Sequence, residues 1–442
     1  MSQSPTTGAV WPEGTYEAFE QAGRRVDATP PRELAEWIGT LVREHDAWRL
    51  SVINLLGADG VMSRTARRLL DTDMATRAFE GLPGHRDTTT TPARASQWSD
   101  QIESTIVALA QRLFRARFVE WRSISTTMSN AIALKALCDV GDTIAVQSMA
   151  AGANMSYQQY GVVGVLGMRA VDLPGTELFE IDIDGAARVI RETRPRAIVV
   201  GGTKLLFRYP LAELRELADE VGAKIVFDAA HVAPFVHAGI FNDPLTEGAH
   251  VLVTGTHKIM GGPIGGLIMT NDEEIAAAIE RAVWPQFQQT RDQNKYAATA
   301  VALAELTEFG IPYANAVSAN AKGLARALEE RGFEVIGSAR GYTETHQVML
   351  RLGDGHAERF AIACSDQEIL VCYTNIFGEP HSSVAASGVR VSTSLITRMG
   401  MGEPEVVQIA DLMARVRAGD TAVAGEARAL AAAHTKVRWC FD

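Results

Sequence analysis

Ala197-Ile198-Val199-Val200 is apolar at every position and ends in Gly201-Gly202. After a helical stretch from Leu211 to Val221, Lys224-Ile225-Val226-Phe227 repeats the pattern and ends in Asp228. A strand with one wet face alternates apolar and polar residues, whereas a run without alternation suits burial on both faces. The same grammar extends both ways along the chain. Thr143 to Val146 reads as a strand and Asp184 to Thr193 as a helix, and Val251 to Val253 and Gly266 to Thr270 read as further strands. Strands alternating with helices predict an α/β chain with a mostly parallel, doubly wound sheet. Ligands of such sheets sit beyond the carboxyl ends of the strands, so the polar residues there are the first candidates for chemistry.

The remainder organises around that sheet. The first 30 or so residues, rich in Pro, Gly, Thr and Ser, predict an arm, and Pro31 to Leu50 predicts a helix. Ser99 to Phe118 reads as a helix with Ser99 as N-cap and Ile102, Ile106, Ala110 and Leu113 near one face. Phe118 to Ile124 reads as a short strand and Thr126 to Cys138 as a helix. A boundary follows the helix around Asp272 to Val283. Beyond it come a long helix (Ala297 to Phe309), strands around Val335 and Val348 to Leu350, and a C-terminal helix. The expected domains are an arm and helix over 1–60, a large domain over 61–285 and a smaller α+β domain over 286–442. The tail AAAHTKVRWCFD suggests no role.

Composition excludes several functions. The net charge of −11 suits a nucleic-acid binder poorly, because phosphate neutralisation needs Lys and Arg in excess. No uncharged apolar stretch is long enough to span a bilayer. Cys138, Cys364, Cys372 and Cys440 are scattered without metal-ligand spacing, so no metal is expected. With no secretory signal visible, a cytoplasmic protein with free thiols is expected.

The sharpest feature is Phe227-Asp228-Ala229-Ala230-His231, followed after a later strand by Thr256-His257-Lys258. Taken singly, Asp228 reads equally well as a helix cap and Lys258 as a surface residue. Together, each beyond a buried strand, they are what a pyridoxal phosphate site needs. The lysine amine condenses with the aldehyde, and the carboxylate pairs with the pyridine nitrogen and keeps it protonated.

The text DAAH…VTGTHKIMGGPIGG resembles the serine hydroxymethyltransferase family, within the fold type I pyridoxal phosphate enzymes, and the similarity runs from about Val52 to Met401. The resemblance implies that Lys258 is the Schiff-base lysine and Asp228 the partner of the pyridine nitrogen. It also places His231 near the cofactor's phenolic oxygen, with Thr203 in the place of a family serine that touches the same region. SISTTMSNAIALKAL matches the phosphate-binding turn, which makes Thr126, Thr127, Met128 and Ser129 cofactor contacts at a helix N-terminus. Thr254 and His257 would add phosphate contacts. SGVRVSTSLITRMGM matches the segment whose arginine holds the substrate α-carboxylate, here Arg390, a role suited to a guanidinium fork. Arg398 is a weaker candidate. His346 is either a ligand contact or a structural histidine. A homodimer is implied, because the family builds its site across a dimer interface.

The departures from the family carry information too. Where relatives have a Glu and a Tyr, Leu56 to Ser63 offers Asp59 and no tyrosine. Phe79 to Arg86 loses two further tyrosine positions. The ring-stacking histidine is replaced near Asn154, leaving Asn154 or Tyr157 to cover the ring. TNIFGEPHSSVAASGVR, ETHQV and the PGH of LPGHR look closer to folate-independent threonine transaldolases. The expected reaction is therefore folate-independent aldol-type cleavage or transfer at Cα/Cβ of an amino acid, in secondary metabolism such as antibiotic biosynthesis. Asp59, Glu80, His85 and His231 are the candidate bases for the β-hydroxyl proton. The rival expectation is a lyase: β-elimination from an S-substituted cysteine, or decarboxylation-coupled deamination of an amino-acid conjugate. A cofactor-binding regulator is disfavoured, because the chain has no DNA-binding segment and is acidic.

Overall fold

A computed structural model describes residues 10–353, 355–379 and 386–442. The first nine residues of the expected arm, and residues 380–385 of the TNIFGEPHSSVAASGVR segment, lie outside the described residues.

Seven strands form the main sheet: β1 (Phe118–Glu120), β2 (Thr143–Gln147), β3 (Arg169–Leu173), β4 (Ala197–Gly201), β5 (Lys224–Asp228), β6 (Val251–Gly255) and β7 (Gly266–Thr270). They lie in the order β1-β7-β6-β5-β4-β2-β3. β7 runs antiparallel to its neighbours β1 and β6, and the remaining pairs are parallel. The unbroken apolar runs are explained by burial on both faces. Ile198, Val200, Ile225, Phe227 and Leu252 point into one core with Ile106, Leu113 and Leu214. Val199, Val226, Val251 and Val253 point into the other with Ile132, Leu134 and Ile275.

A second, antiparallel sheet holds β8 (Glu334–Val335), β9 (Gln347–Arg351), β10 (Cys372–Thr374) and β11 (Gly388–Ser392) in the order β8-β9-β11-β10. Ile53 and Asn54 pair in parallel with Ile369 and Leu370, so the segment after the N-terminal helices joins this half.

Several helices differ from the sequence expectation. Within the expected arm, residues 13–28 form helix α1 (Glu13–Ala28), followed by α2 (Pro31–Arg49). Helix α3 is Ala93–Phe114, opening after Pro92. Ser99 is therefore inside the helix rather than its cap, and its buried hydroxyl donates to Glu103 at 2.9 Å. Helix α4 (Thr126–Leu137) agrees with the reading. Helix α5 runs from Gln293 to Glu330 straight through Gly310 and Pro312, residues that normally stop a helix. Tertiary packing overrides them. A Cβ on Gly310 would come within 2.8 Å of Leu306 and 2.9 Å of His237, so glycine allows the helix Ala233–Ala238 to lie close. The C-terminal tail, which suggested nothing as sequence, is docked. Arg438 N donates to Arg398 O at 2.7 Å, and Asp442 accepts from the backbone of Thr65 at 2.9 Å.

One buried ionic cluster joins these pieces. The Glu103 carboxylate accepts from Arg86 (2.8 Å), Ser99 (2.9 Å), Gln293 (3.1 Å), Arg291 (3.2 Å) and Trp121 (3.2 Å). It thereby fastens α3 to the start of α5 and to the Gly81–Arg86 hairpin. Removing the carboxylate strands the buried Arg291 guanidinium, while Arg86 keeps Asp100 and Gly81 O. Glu103→Ala is expected to cost about 3–5 kcal/mol, read as a lower urea midpoint, whereas the exposed Glu273→Ala should leave the midpoint unmoved.

Candidate active site

The end of β5 sets the site. Asp228 is fully buried, and its Oδ1 accepts the Ala230 N–H at 2.9 Å. Burial raises the carboxyl's pKa, while the nearby Lys258 ammonium and the Ala230 N–H pull it back. His231 follows on the same turn. Its Nε2 lies 3.2 Å from Lys258 Nζ, and its ring stacks on His346 at 5.5 Å and 15°. Burial first, then the charges of Lys258 and Arg390, hold His231 well below the usual histidine pKa, so the ring is neutral. Lys258 is lowered to about 8, mainly by burial and further by Arg390, against the opposing pull of Asp228.

Arg390 comes from β11 of the second sheet. Its Nη1 donates to Thr203 O at 2.8 Å, and Gln347 Nε2 donates to the same oxygen at 3.0 Å. One carbonyl just beyond β4 thus fixes the arginine relative to the main sheet. Gln347 was missed by the sequence reading, since its importance lies in a partner 144 residues away. His346 Nδ1 lies 2.6 Å from Ser392 Oγ, and burial with Arg390 nearby pushes its pKa down to about 3.

The start of α4 lies beside the loop carrying Lys258. Gly255 makes the approach possible, because a Cβ there would fall 2.5 Å from Thr126 Oγ1. Ser125 is the N-cap and was not singled out in the sequence. Its hydroxyl accepts from Met128 N at 3.1 Å, and its carbonyl accepts from Ser129 N at 3.0 Å. Met128 and Ser129 therefore spend their N–H groups inside the helix cap. Thr126 and Thr127 supply the N–H groups that a helix start leaves free for an anion. Thr254 is buried, and its hydroxyl turns to Ala229 O at 3.3 Å. Asn154 caps the turn Met155–Tyr157 by accepting from Ser156 N at 2.9 Å.

Other expected residues are placed elsewhere. Arg398 donates to Glu305 Oε2 at 2.9 Å and to Trp439 O at 2.8 Å, so its fork anchors the tail. Asp59 is held by Arg49 and by Asn54, the latter at 2.9 Å. It lines a cavity of about 860 Å³ that also borders His257, Met62 and Met399. Glu80 and His85 make no hydrogen bond or ion pair to the Lys258 cluster among the described residues, and His85 is exposed.

The donor set suits pyridoxal phosphate. Asp228 Oδ2, Thr126 Oγ1, His257 Nδ1 and Arg390 Nε are buried without a hydrogen-bond partner. These are, in turn, an acceptor for a ring N–H, two groups beside an anion-binding helix start, and a donor for a carboxylate. Burial lowers His257 to about 4, leaving it neutral.

Comparisons with known proteins agree. Residues 35–413 match the family model described as serine hydroxymethyltransferase. A serine hydroxymethyltransferase from Pyrobaculum aerophilum is 36% identical over 394 residues, covering 88% of this chain and 90% of its own. One from Methanothermobacter thermautotrophicus is 34% identical over 414 residues, covering 93% and 96%. Among solved structures, the L-threonine transaldolase of Pseudomonas fluorescens superposes with a TM-score of 0.83 at 22% identity, covering 97% of this chain and 96% of that one.

Condensation with an aldehyde needs a neutral amine. With Lys258 near 8, the rate of pyridoxal phosphate uptake by apoenzyme should rise with pH to about 8 and then level off. An unperturbed lysine would keep climbing towards about 10.4. Lys258→Ala should show no protein-linked cofactor absorbance at any pH.

Proposed function

The chain belongs to the serine hydroxymethyltransferase family, and from that premise we propose a folate-independent aldol-type cleavage or transfer of β-hydroxy amino acids, with a role in secondary metabolism. It is a pyridoxal phosphate-dependent transferase working at the Cα and Cβ of an amino acid. The observation that carries folate independence is the state of Asp59. One methylene shorter than the family Glu, it is tied to Arg49 and Asn54 and flanked by Gly57, Ala58, Gly60 and Val61, with no tyrosine.

Pyridoxal phosphate, when bound, supplies an aldehyde for amines and a ring that takes up the electron pair of a bond broken at Cα. In this reading, Thr126, Thr127 and His257 hold its phosphate, Asp228 its ring nitrogen and Lys258 its aldehyde carbon. Asn154, packed beside Gly202, would contact the cofactor ring. Residues 61–285 act as the cofactor domain and 286–442 as the small domain that brings Arg390. The guanidinium keeps Nη1 on Thr203 O, and its unpartnered Nε would face the substrate α-carboxylate. Holding that carboxylate would fix how the substrate's Cα bonds are oriented, and so which one breaks. We assign the β-hydroxyl proton to His231 Nε2, which is neutral, able to accept, and beside the Lys258 amine.

Holoenzyme given L-threonine should release acetaldehyde without tetrahydrofolate. Arg390→Lys should lower kcat/KM by about 100-fold, because an ammonium cannot reproduce the planar fork. Pyruvate and thiol from an S-substituted cysteine, with no acetaldehyde from threonine, would replace this reading by β-elimination.

A homodimer completes the proposal. Helices α1 and α2 contain no buried residue, and Ile38 (51%), Leu41 (43%) and Val42 (57%) lie exposed on one helical face. Such a stripe fits a partner subunit. The protein should sediment as a dimer, and Leu41→Asp combined with Val42→Asp should shift it towards monomer.

A further inference from the structure

Tyr157 is among the largest fully buried side chains, at 1% exposure, and its hydroxyl has no hydrogen-bond partner of ordinary geometry. Asp228 Oδ2 and Asn130 Oδ1 share that condition, and all three side chains meet beneath the end of β5. A buried phenol is costly unless its O–H finds an acceptor, and the acceptor beside this one is a carboxylate oxygen.

The approach is built, not incidental. Asn130, on the first turns of α4, donates to Ser156 Oγ at 2.8 Å. Ser156 N in turn donates to Asn154 Oδ1 at 2.9 Å. The short turn Met155–Tyr157 is thereby pinned to α4, and the Tyr157 ring is held in the core with Ile144 and Val226, below the strand end. It is not free to cover a cofactor ring from above. Meanwhile the other Asp228 oxygen is already held by the Ala230 N–H.

We propose that Tyr157, steadied by Asn130 through Ser156, is a positioning residue that hydrogen-bonds Asp228 Oδ2 and keeps this carboxylate ionised and aimed at the cofactor's ring nitrogen. The inference rests on the reading that Asp228 faces that nitrogen. The charges agree: proximity to Asp228 adds to burial in holding the Tyr157 hydroxyl protonated, and both Tyr157 and Asn130 oppose the rise that burial imposes on Asp228. A carboxylate with donors on both oxygens stays anionic where burial alone would neutralise it. An anionic Asp228 is what keeps a pyridine nitrogen protonated.

The test is a double-mutant cycle on purified protein, with Tyr157→Phe, Asp228→Asn and the combination. The readouts are the dissociation constant for pyridoxal phosphate and the pH midpoint of the cofactor's visible band. Tyr157→Phe alone should weaken cofactor binding by about tenfold, the size of one hydrogen bond to a charged group, and move the midpoint. In the Asp228→Asn background the same change should cost less than about twofold. Equal losses in both backgrounds would make Tyr157 a packing residue and overturn the proposal, as would no loss in either. If Asp228→Asn alone binds cofactor like the parent, the reading of Asp228 fails, a result distinct from failure of the Tyr157 assignment. Melting of the four apoproteins checks that each is folded. Should Tyr157→Phe melt early, Asn130→Ser tests the same link, with a smaller loss of affinity expected in the parent and none beside Asp228→Asn.

Discussion

The site depends on two charges of opposite sign driven out of water at neighbouring strand ends. Asp228 is fully buried, and Lys258, on the loop after β6, lies 3.2 Å from His231, on the same turn as Asp228, and within reach of the Asp228 charge. Burial pushes each towards its neutral form, and their mutual attraction resists. The balance is uneven. Lys258 falls from 10.5 to about 8, roughly 3 kcal/mol in favour of the free amine. That cost keeps the amine nucleophilic near neutrality. The parallel sheet makes the arrangement possible, because adjacent strands end side by side and deliver Asp228 and the Lys258 loop to one place without any long-range code.

The second half of the site is aligned by a single acceptor. Thr203 O receives Arg390 from β11 and Gln347 from β9 at once, while Gln347 Oε1 accepts from Leu205 N at 3.2 Å. The turn after β4 is therefore gripped by two strands of the other sheet. Any shift between the sheets moves the arginine against the lysine. The ion pair of Arg398 with Glu305 and the docked tail brace the same region from behind, since Arg398 lies six residues past Ser392, the partner of His346.

Much of this was legible in the sequence, for a definite reason. Buried parallel strands write themselves as unbroken apolar runs, and the residue at the end of a run is displayed at the ligand edge whatever the rest of the chain does. Asp228, His231 and Lys258, each just beyond such a run, follow from that rule, whereas the start of α4 was legible as part of the site only through the family resemblance of SISTTMSNAIALKAL. What was not legible needs contacts between distant segments. Gln347 looks like any polar residue entering a strand. Glu103 looks like a surface helix residue until Arg86, Arg291 and Gln293 converge on it. Pro312 signals a helix end that packing overrides. Arg398 carries the right chemistry for a carboxylate, but Glu305 and the tail claim it. Tyr157 suggested a ring cover, and only the pinning of its turn to α4 sends it beneath Asp228.

The overall charge of −11 says little about the field at the site, which a few buried cations set. Lys204 lies beside the Arg390 anchor point, its ammonium on Asn375 O and 5.2 Å from the Phe179 ring. Burial and the Arg390 charge lower it to about 8. Arg390 lowers Lys258 in the same way. The cations thus repel one another inside a low-dielectric pocket, and any anion admitted there relieves them all. An anion against Arg390 would cancel part of the repulsion that keeps Lys258 weakly basic.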